Sequence, residues 1–162
     1  MGKKIGIGII SVVATLAVCF GIYWLVAGAN NTFQHEEQSS RSYKTVLNEL
    51  AHTKKRKTTV IVIHKNGCKT CQKMQGQIVL QMRKLAKNGV EVSYIEATNG
   101  LPSDLFDYIN DPDGVLKEFH APYAIVMTSD NKTNNKLNIA YSLRLNNKAN
   151  LNWFMEKFSN KN

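Results

Sequence analysis

The sequence predicts an α/β protein in which a four-stranded mixed sheet is flanked by helices and preceded by an N-terminal transmembrane helix. Helical and strand periodicities alternate along most of the chain, an apolar run lies near the N-terminus, and a β-branched segment leads into a Cys-x-x-Cys motif. The predicted regions are a membrane anchor over 1–29, a polar spacer over 30–40 and one folded domain over 41–162.

The first region has the features of a signal-anchor helix. Positions 5 to 29 contain no charged residue, and a helix of that length reaches roughly 37 Å, more than the hydrocarbon core of about 30 Å. Lys3 and Lys4 precede the run, whereas Glu36 and Glu37 follow it. By the positive-inside rule, we expect a single-pass protein of the cell membrane with a cytoplasmic N-terminus and an extracytoplasmic domain.

Cleavage of the anchor is an alternative. Ala27-Gly28-Ala29 has the small-x-small form that signal peptidase accepts, although the apolar stretch before it is longer than in most signal peptides. Cys19 follows the bulky Val18, which fits a lipoprotein motif poorly. We interpret Cys19 as a small apolar residue of the span.

The chain is basic, with a net charge of +9. Such a charge attracts anionic lipids or polymers and also nucleic acid. The densest patch, Lys54-Lys55-Arg56-Lys57, contains no interleaved aromatic residue of the kind that stacks on bases. We therefore interpret it as a solvated turn and expect no nucleic-acid partner.

The elements of the first half of the domain follow from periodicity. An apolar stripe predicts a helix over 42–52, and the continuous β-branched run of 58–64 predicts a strand buried on both faces. Apolar residues at helical spacing continue from Cys68 to a stop at Asn88-Gly89. The alternation over 90–96 then predicts an edge strand.

The second half begins with a short helix over 104–109, a turn at 111–114 and a helical turn over 115–119. Strands over 123–128 and 137–145, joined by a polar turn over 129–136, predict a hairpin. An amphipathic helix over 151–158 closes the domain.

The motif Cys68-Lys69-Thr70-Cys71 carries the predicted chemistry. A helix N-terminus presents free N–H groups and a partial positive charge, which stabilise a thiolate at the first cysteine. Cys71, one turn later, lies where it can attack a mixed disulfide at Cys68 and release the product. The spacing thus favours a redox-active pair with Cys68 as the nucleophile.

With these features in order, the chain resembles the thioredoxin-like superfamily over roughly residues 58–158. The strand before the cysteines, the helical turn leading into Ala121-Pro122, and the hairpin before the last helix carry this resemblance. It implies that Pro122 is a cis-proline facing the cysteines and that Ala121 and Pro122 shape a groove for an extended substrate. The small anchored architecture also resembles the bacteriocin-transport accessory group of Gram-positive bacteria.

The chain departs from thioredoxins at several positions, three of which precede the motif. Val62, His64 and Gly67 stand where thioredoxins carry a buried acid and two tryptophans, so the usual proton acceptor is missing. His64 is a candidate for proton transfer to Cys71 or, alternatively, a side chain that simply fills a tryptophan site. Lys69 favours the thiolate of Cys68 through its charge, although one exposed charge is a small effect.

The resulting expectation is a thiol-disulfide oxidoreductase that needs no cofactor and acts on secreted or surface proteins. Its partners would be protein thiols or disulfides and a membrane or extracytoplasmic redox protein, and the sequence leaves its direction open. Two alternatives compete with it. One is a copper chaperone that uses His64, Cys68, Cys71 and His120 as ligands, and the other is a redox-inert adaptor of an export or conjugation apparatus.

Overall fold

The computed structural model describes residues 17–20, 22 and 30–159. Helices span Phe33–Ser39 (α1), Tyr43–His52 (α2), Lys69–Lys87 (α3), Leu105–Tyr108 (α4) and Lys148–Ser159 (α5). Strands span Thr58–His64 (β1), Glu91–Glu96 (β2), Ile109–Asn110 (β3), Tyr123–Thr133 (β4) and Lys136–Arg144 (β5).

Most of the predicted anchor, including the cleavage position after Ala29, lies outside the described residues. Cys19 is described, and its side chain is exposed. Within the described ranges, no helix combines the length and the apolar character needed to cross a bilayer.

The strands form one mixed sheet in the order β2-β1-β4-β5-β3. β1 runs parallel to β2 and antiparallel to β4, which pairs with β5 as a hairpin. The predictions that β1 is buried on both faces and that β2 is an edge strand are confirmed. The result is an α/β fold with five strands in the described part of the chain instead of the predicted four.

Alternating side chains of β1 divide the core into two halves. Val60 and Val62 pack in the half that contains the buried residues of α3 and α5, whereas Ile61 and Ile63 pack in the half that contains those of α2 and α4. This alternation follows from the two-residue period of a strand. It explains why β1 is apolar from Val60 to Ile63.

The fifth strand was missed because it is only two residues long. β3 lies where the sequence predicted the end of a helix, and it pairs in parallel with β5. Ile109 is buried in the core, and Asn110 Nδ2 donates to Asn138 Oδ1 at 3.0 Å. Two residues are too few to show an alternating pattern.

The predicted polar turn of the hairpin is also shorter than expected. β4 continues to Thr133, and only Asn134 and Asn135 remain in the loop. Both have positive φ angles, 51° and 64°, as a type I′ turn requires. Asparagine tolerates this conformation, and so the strands extend into a segment that looks loop-like by composition.

The predicted spacer over residues 30–40 differs most from expectation, because most of it is helix α1, packed on the domain. Thr32 caps this helix by accepting the N–H of His35 at 3.2 Å. Phe33 is only 3% exposed and stacks on the His64 ring with centroids 4.9 Å apart. Arg83 of α3 fixes the segment by donating to Glu36 at 2.6 Å and to Asn31 at 2.9 Å.

We expect Phe33→Ala in the full-length protein to lower the free energy of unfolding by about 3 kcal/mol, the usual cost of removing a buried aromatic ring. Urea denaturation measures the change. The matched control is Gln38→Ala, an exposed position of the same helix, which should leave stability within about 0.5 kcal/mol of the parent. Equal values for the two variants would contradict the packing role of Phe33.

Candidate active site

The site begins where β1 leaves the sheet. The carbonyl of His64, the last residue of β1, accepts the N–H of Ala97 at 2.8 Å. Gly67 then adopts a φ of +72°, a left-handed conformation that side chains with a Cβ disfavour. This turn places Cys68 at the N-cap of α3.

Cys68 has the surroundings of a nucleophilic sulfur. Its Sγ accepts the backbone N–H of Cys71 at 3.2 Å, and the side chain is half-buried. A backbone N–H and the positive end of the 19-residue helix α3 both favour a negative charge on this sulfur. The predicted position of the first cysteine at a helix N-terminus is therefore confirmed.

The loop before β4 lies against this sulfur. As a thiol, Cys68 Sγ donates to the carbonyl oxygen of Ala121 at 3.6 Å. The peptide bond between Ala121 and Pro122 is cis, as the resemblance implied, and both residues are buried. The Pro122 carbonyl accepts the N–H of Leu145 at 2.8 Å, which fixes the loop to the residue that follows β5.

Cys71, unlike the half-buried Cys68, lies in the core. It is 2% exposed and packs among the core residues between the sheet and α3. Burial raises its thiol pKa to about 12, and its hydrogen bond with Cys68 acts in the same direction, whereas the backbone N–H of Lys65 lowers it. Cys71 is thus a neutral thiol at neutral pH.

His64 is 2% exposed. It lines a pocket of about 240 Å³ together with Cys71 and with Thr32, Phe33 and Gln34 of the N-terminal segment. Burial lowers the pKa of His64, while the carboxylates of Glu37 and Glu96 raise it, and burial is the larger effect. The imidazole is therefore neutral at neutral pH.

Sequence reasoning missed the contribution of α1 to this pocket. Glu37 approaches His64 with 3.5 Å between Oε2 and Nε2, a distance at which the two form an ion pair only when His64 is protonated. The available signal was Thr32 followed by acidic residues in the next turn, a common helix start. The polar composition of the segment indicated a spacer instead.

The other predicted site residues are exposed. Lys69 is exposed on the first turn of α3. His120 is exposed as well, and its ring nitrogen Nδ1 lies 2.9 Å from the carbonyl oxygen of Glu118. Residues 17–20, 22 and 30–159 contain no group of three or more histidine, cysteine or acidic side chains that could hold a metal ion. The four proposed copper ligands are therefore not brought together.

The chain is similar to solved structures but matches no family model. No family model and no curated protein matches the chain. Among solved structures, a thioredoxin from Trichomonas vaginalis is similar with a TM-score of 0.46 and 14% identity, covering 74% of this chain and 93% of that one. A thioredoxin from Plasmodium falciparum has a TM-score of 0.42 and 14% identity, covering 74% of this chain and 84% of that one.

We expect Gly67→Ala to destabilise the protein by about 1 kcal/mol or more, because alanine disfavours the left-handed φ of this turn. The matched control is Gly76→Ala in the interior of α3, where the added Cβ would lie 4.0 Å from the Asn31 carbonyl oxygen, an ordinary contact. Alanine should stabilise that helix by about 0.5 to 1 kcal/mol. Urea denaturation distinguishes the two, and a stabilising Gly67→Ala would contradict the turn geometry.

We expect iodoacetamide at pH 8 to modify Cys68 at least about tenfold faster than Cys71, since the thiolate is the reactive form and Cys71 holds its proton in the core. Peptide mapping by mass spectrometry measures both rates. In urea, where the chain is unfolded, the two cysteines should react alike. Equal rates in the folded protein would refute the assigned environments.

Proposed function

We propose that this protein catalyses thiol-disulfide exchange, with Cys68 as the nucleophile and Cys71 as the resolving thiol. The observation that carries the proposal is the environment of Cys68. Its sulfur accepts a backbone N–H at the start of α3, lies beside the Ala121 carbonyl and has Cys71 one helical turn away. The backbone N–H favours a negative charge on the Cys68 sulfur, and Cys71 lies where it can act as the second thiol.

The reaction has two displacement steps. The Cys68 thiolate attacks one sulfur of a substrate disulfide, a mixed disulfide forms, and the other substrate sulfur leaves as a thiolate that takes up a proton. Cys71 loses its proton and attacks the Cys68 sulfur, which forms the Cys68–Cys71 disulfide and releases the second substrate thiol. Two electrons pass from the cysteine pair to the substrate, and the reverse sequence oxidises a dithiol.

The substrate class we propose is an extended segment of a protein. The buried Ala121-Pro122 loop stands directly against Cys68, so a cysteine in an extended chain can approach the sulfur along this loop. Val62, His64 and Gly67 replace the acid and tryptophans of thioredoxins. These differences favour a specialised thiol-disulfide exchange protein over one with general thioredoxin activity.

The proposed location is the outer face of a bacterial cell membrane. It is supported by the uncharged run over residues 5–29, the lysines before it and the acidic residues after it. The N-terminal helix would tether the domain near secreted or surface proteins. A membrane or extracytoplasmic redox protein would then restore the cysteine pair after each turnover.

We expect the full-length protein, purified in detergent, to accelerate the reduction of insulin by dithiothreitol, and Cys68→Ser to abolish the acceleration because the attacking thiolate is lost. The turbidity of precipitating insulin chains measures the rate. Reduced Cys71→Ser is tested separately with insulin in the absence of dithiothreitol, where a protein without the resolving thiol should accumulate as a mixed disulfide visible by mass spectrometry. Wild-type activity no greater than that of Cys68→Ser would exclude the proposed function.

The reduction potential of the pair then determines the direction. A value near about −270 mV indicates a reductase, and one near about −120 mV indicates an oxidase. Equilibration of the full-length protein with glutathione buffers measures it.

A further inference from the structure

Helix α1 brings the acidic side chain of Glu37 to His64, which lines the same pocket as Cys71. Phe33 stacks on His64, and Glu36 pairs with Arg83 of α3. Glu37 of the same helix contacts the sheet, where its Oε1 accepts the backbone N–H of Glu96 at 3.1 Å. That hydrogen bond holds the carboxylate at the edge of β2.

The second carboxylate oxygen of Glu37 points to His64. Its Oε2 lies 3.5 Å from Nε2, and this buried ring nitrogen has no hydrogen-bond partner in the described part of the chain. A buried polar atom without a partner is rare in folded proteins. The Glu37 carboxylate therefore lies where it can stabilise a proton on the His64 ring.

Cys71 requires a proton acceptor. It must become a thiolate to attack the mixed disulfide, yet its core position favours the neutral thiol. Val62 supplies no carboxylate where thioredoxins carry one. The group that accepts the proton must therefore come from elsewhere in the pocket around Cys71.

We propose that His64 accepts the proton of Cys71 during the resolving step, and that Glu37 is a positioning residue that holds the imidazole and stabilises its protonated form. The inference rests on the proposed thiol-disulfide exchange and extends it to the second step. His64 and Cys71 line the same pocket of about 240 Å³. A water molecule occupies about 30 Å³ of liquid, so this polar pocket has room for water to carry the proton between them.

The proton balance is complete. The Cys71 proton moves to His64 as the sulfur–sulfur bond between Cys68 and Cys71 forms and the bond between Cys68 and the substrate breaks. The leaving substrate thiolate takes a proton from solvent, and the imidazolium returns its own to solvent. No further oxidant or reductant enters this step.

The charges around His64 fit this role. It faces Glu37 from α1, Glu96 from β2 and Cys71 from α3, and Lys65 follows it in the chain with its Nζ over the Phe119 ring. The two carboxylates stabilise an imidazolium and so raise the pKa of His64, although burial keeps the resting ring neutral. Removing the Glu37 charge therefore makes His64 a weaker base.

A two-step assay with dithiobis-nitrobenzoate tests the inference. The reduced full-length protein, with Cys19→Ala in every sample, releases one coloured thiolate when Cys68 attacks and a second when Cys71 resolves the mixed disulfide. We expect Glu37→Gln to leave the first release unchanged and to slow the second about tenfold or more at pH 7. The glutamine oxygen can still accept the Glu96 N–H, so the change removes the charge and keeps the hydrogen bond.

The pH dependence distinguishes proton transfer from a structural effect. The wild-type second release should be level between pH 7 and 9, because neutral His64 accepts the proton throughout. In His64→Gln only the rare Cys71 thiolate can attack, so the rate should rise about tenfold per pH unit across that range. Glu36→Gln is the matched control, since it makes the same change beside Arg83, and it should retain the wild-type profile.

Either of two outcomes would overturn this inference and leave the proposed function intact. In the first, both Glu37→Gln and His64→Gln release the second thiolate at the wild-type rate. In the second, Glu36→Gln slows the second release as much as Glu37→Gln does. The proposed function fails in a different way. In that case wild-type releases no second thiolate, or Cys68→Ser still releases the first at the wild-type rate. The Glu37 and His64 results thus separate the two proposals.

Discussion

The burial of β1 on both faces is the constraint on which the position of the cysteine pair depends. β1 is hydrogen-bonded to β2 on one edge and to β4 on the other, and its side chains are buried from Thr59 to His64. A slip of one residue would exchange its two faces, so the register is fixed. The left-handed turn at Gly67 then starts α3 at one place, and Cys68 meets the Ala121 carbonyl there.

Helix α1 depends on the same strand. Seven residues are too few for a helix that is stable alone in water, so tertiary contacts must hold it. Burying the Phe33 ring on His64 contributes about 2 kcal/mol, and Arg83 adds hydrogen bonds to Glu36 and the backbone of Asn30. The segment between the predicted anchor and the domain is therefore part of the environment of His64.

The sequence predicted the elements with strong periodicity, β1 and α3 among them, and the resemblance to thioredoxins predicted the cis bond before Pro122. It did not predict β3 or α1. Two residues at 109–110 have no period, and Phe33 is a lone aromatic residue in a polar segment, so no apolar stripe repeats. The position of Glu37 beside His64 follows from tertiary packing, which no local pattern contains.

The two cysteines differ in environment although only two residues separate them. Cys68 is the N-cap and lies outside the first helical turn, whereas Cys71 lies within it on the face that packs against the sheet. One sulfur thus receives a hydrogen bond that favours its charge, and burial disfavours charge on the other. In the proposed exchange, the surroundings of Cys71 consequently oppose the proton loss that its attack requires. The environments of the two sulfurs therefore depend on α1, β1 and the loop before β4, which lie outside the four-residue motif.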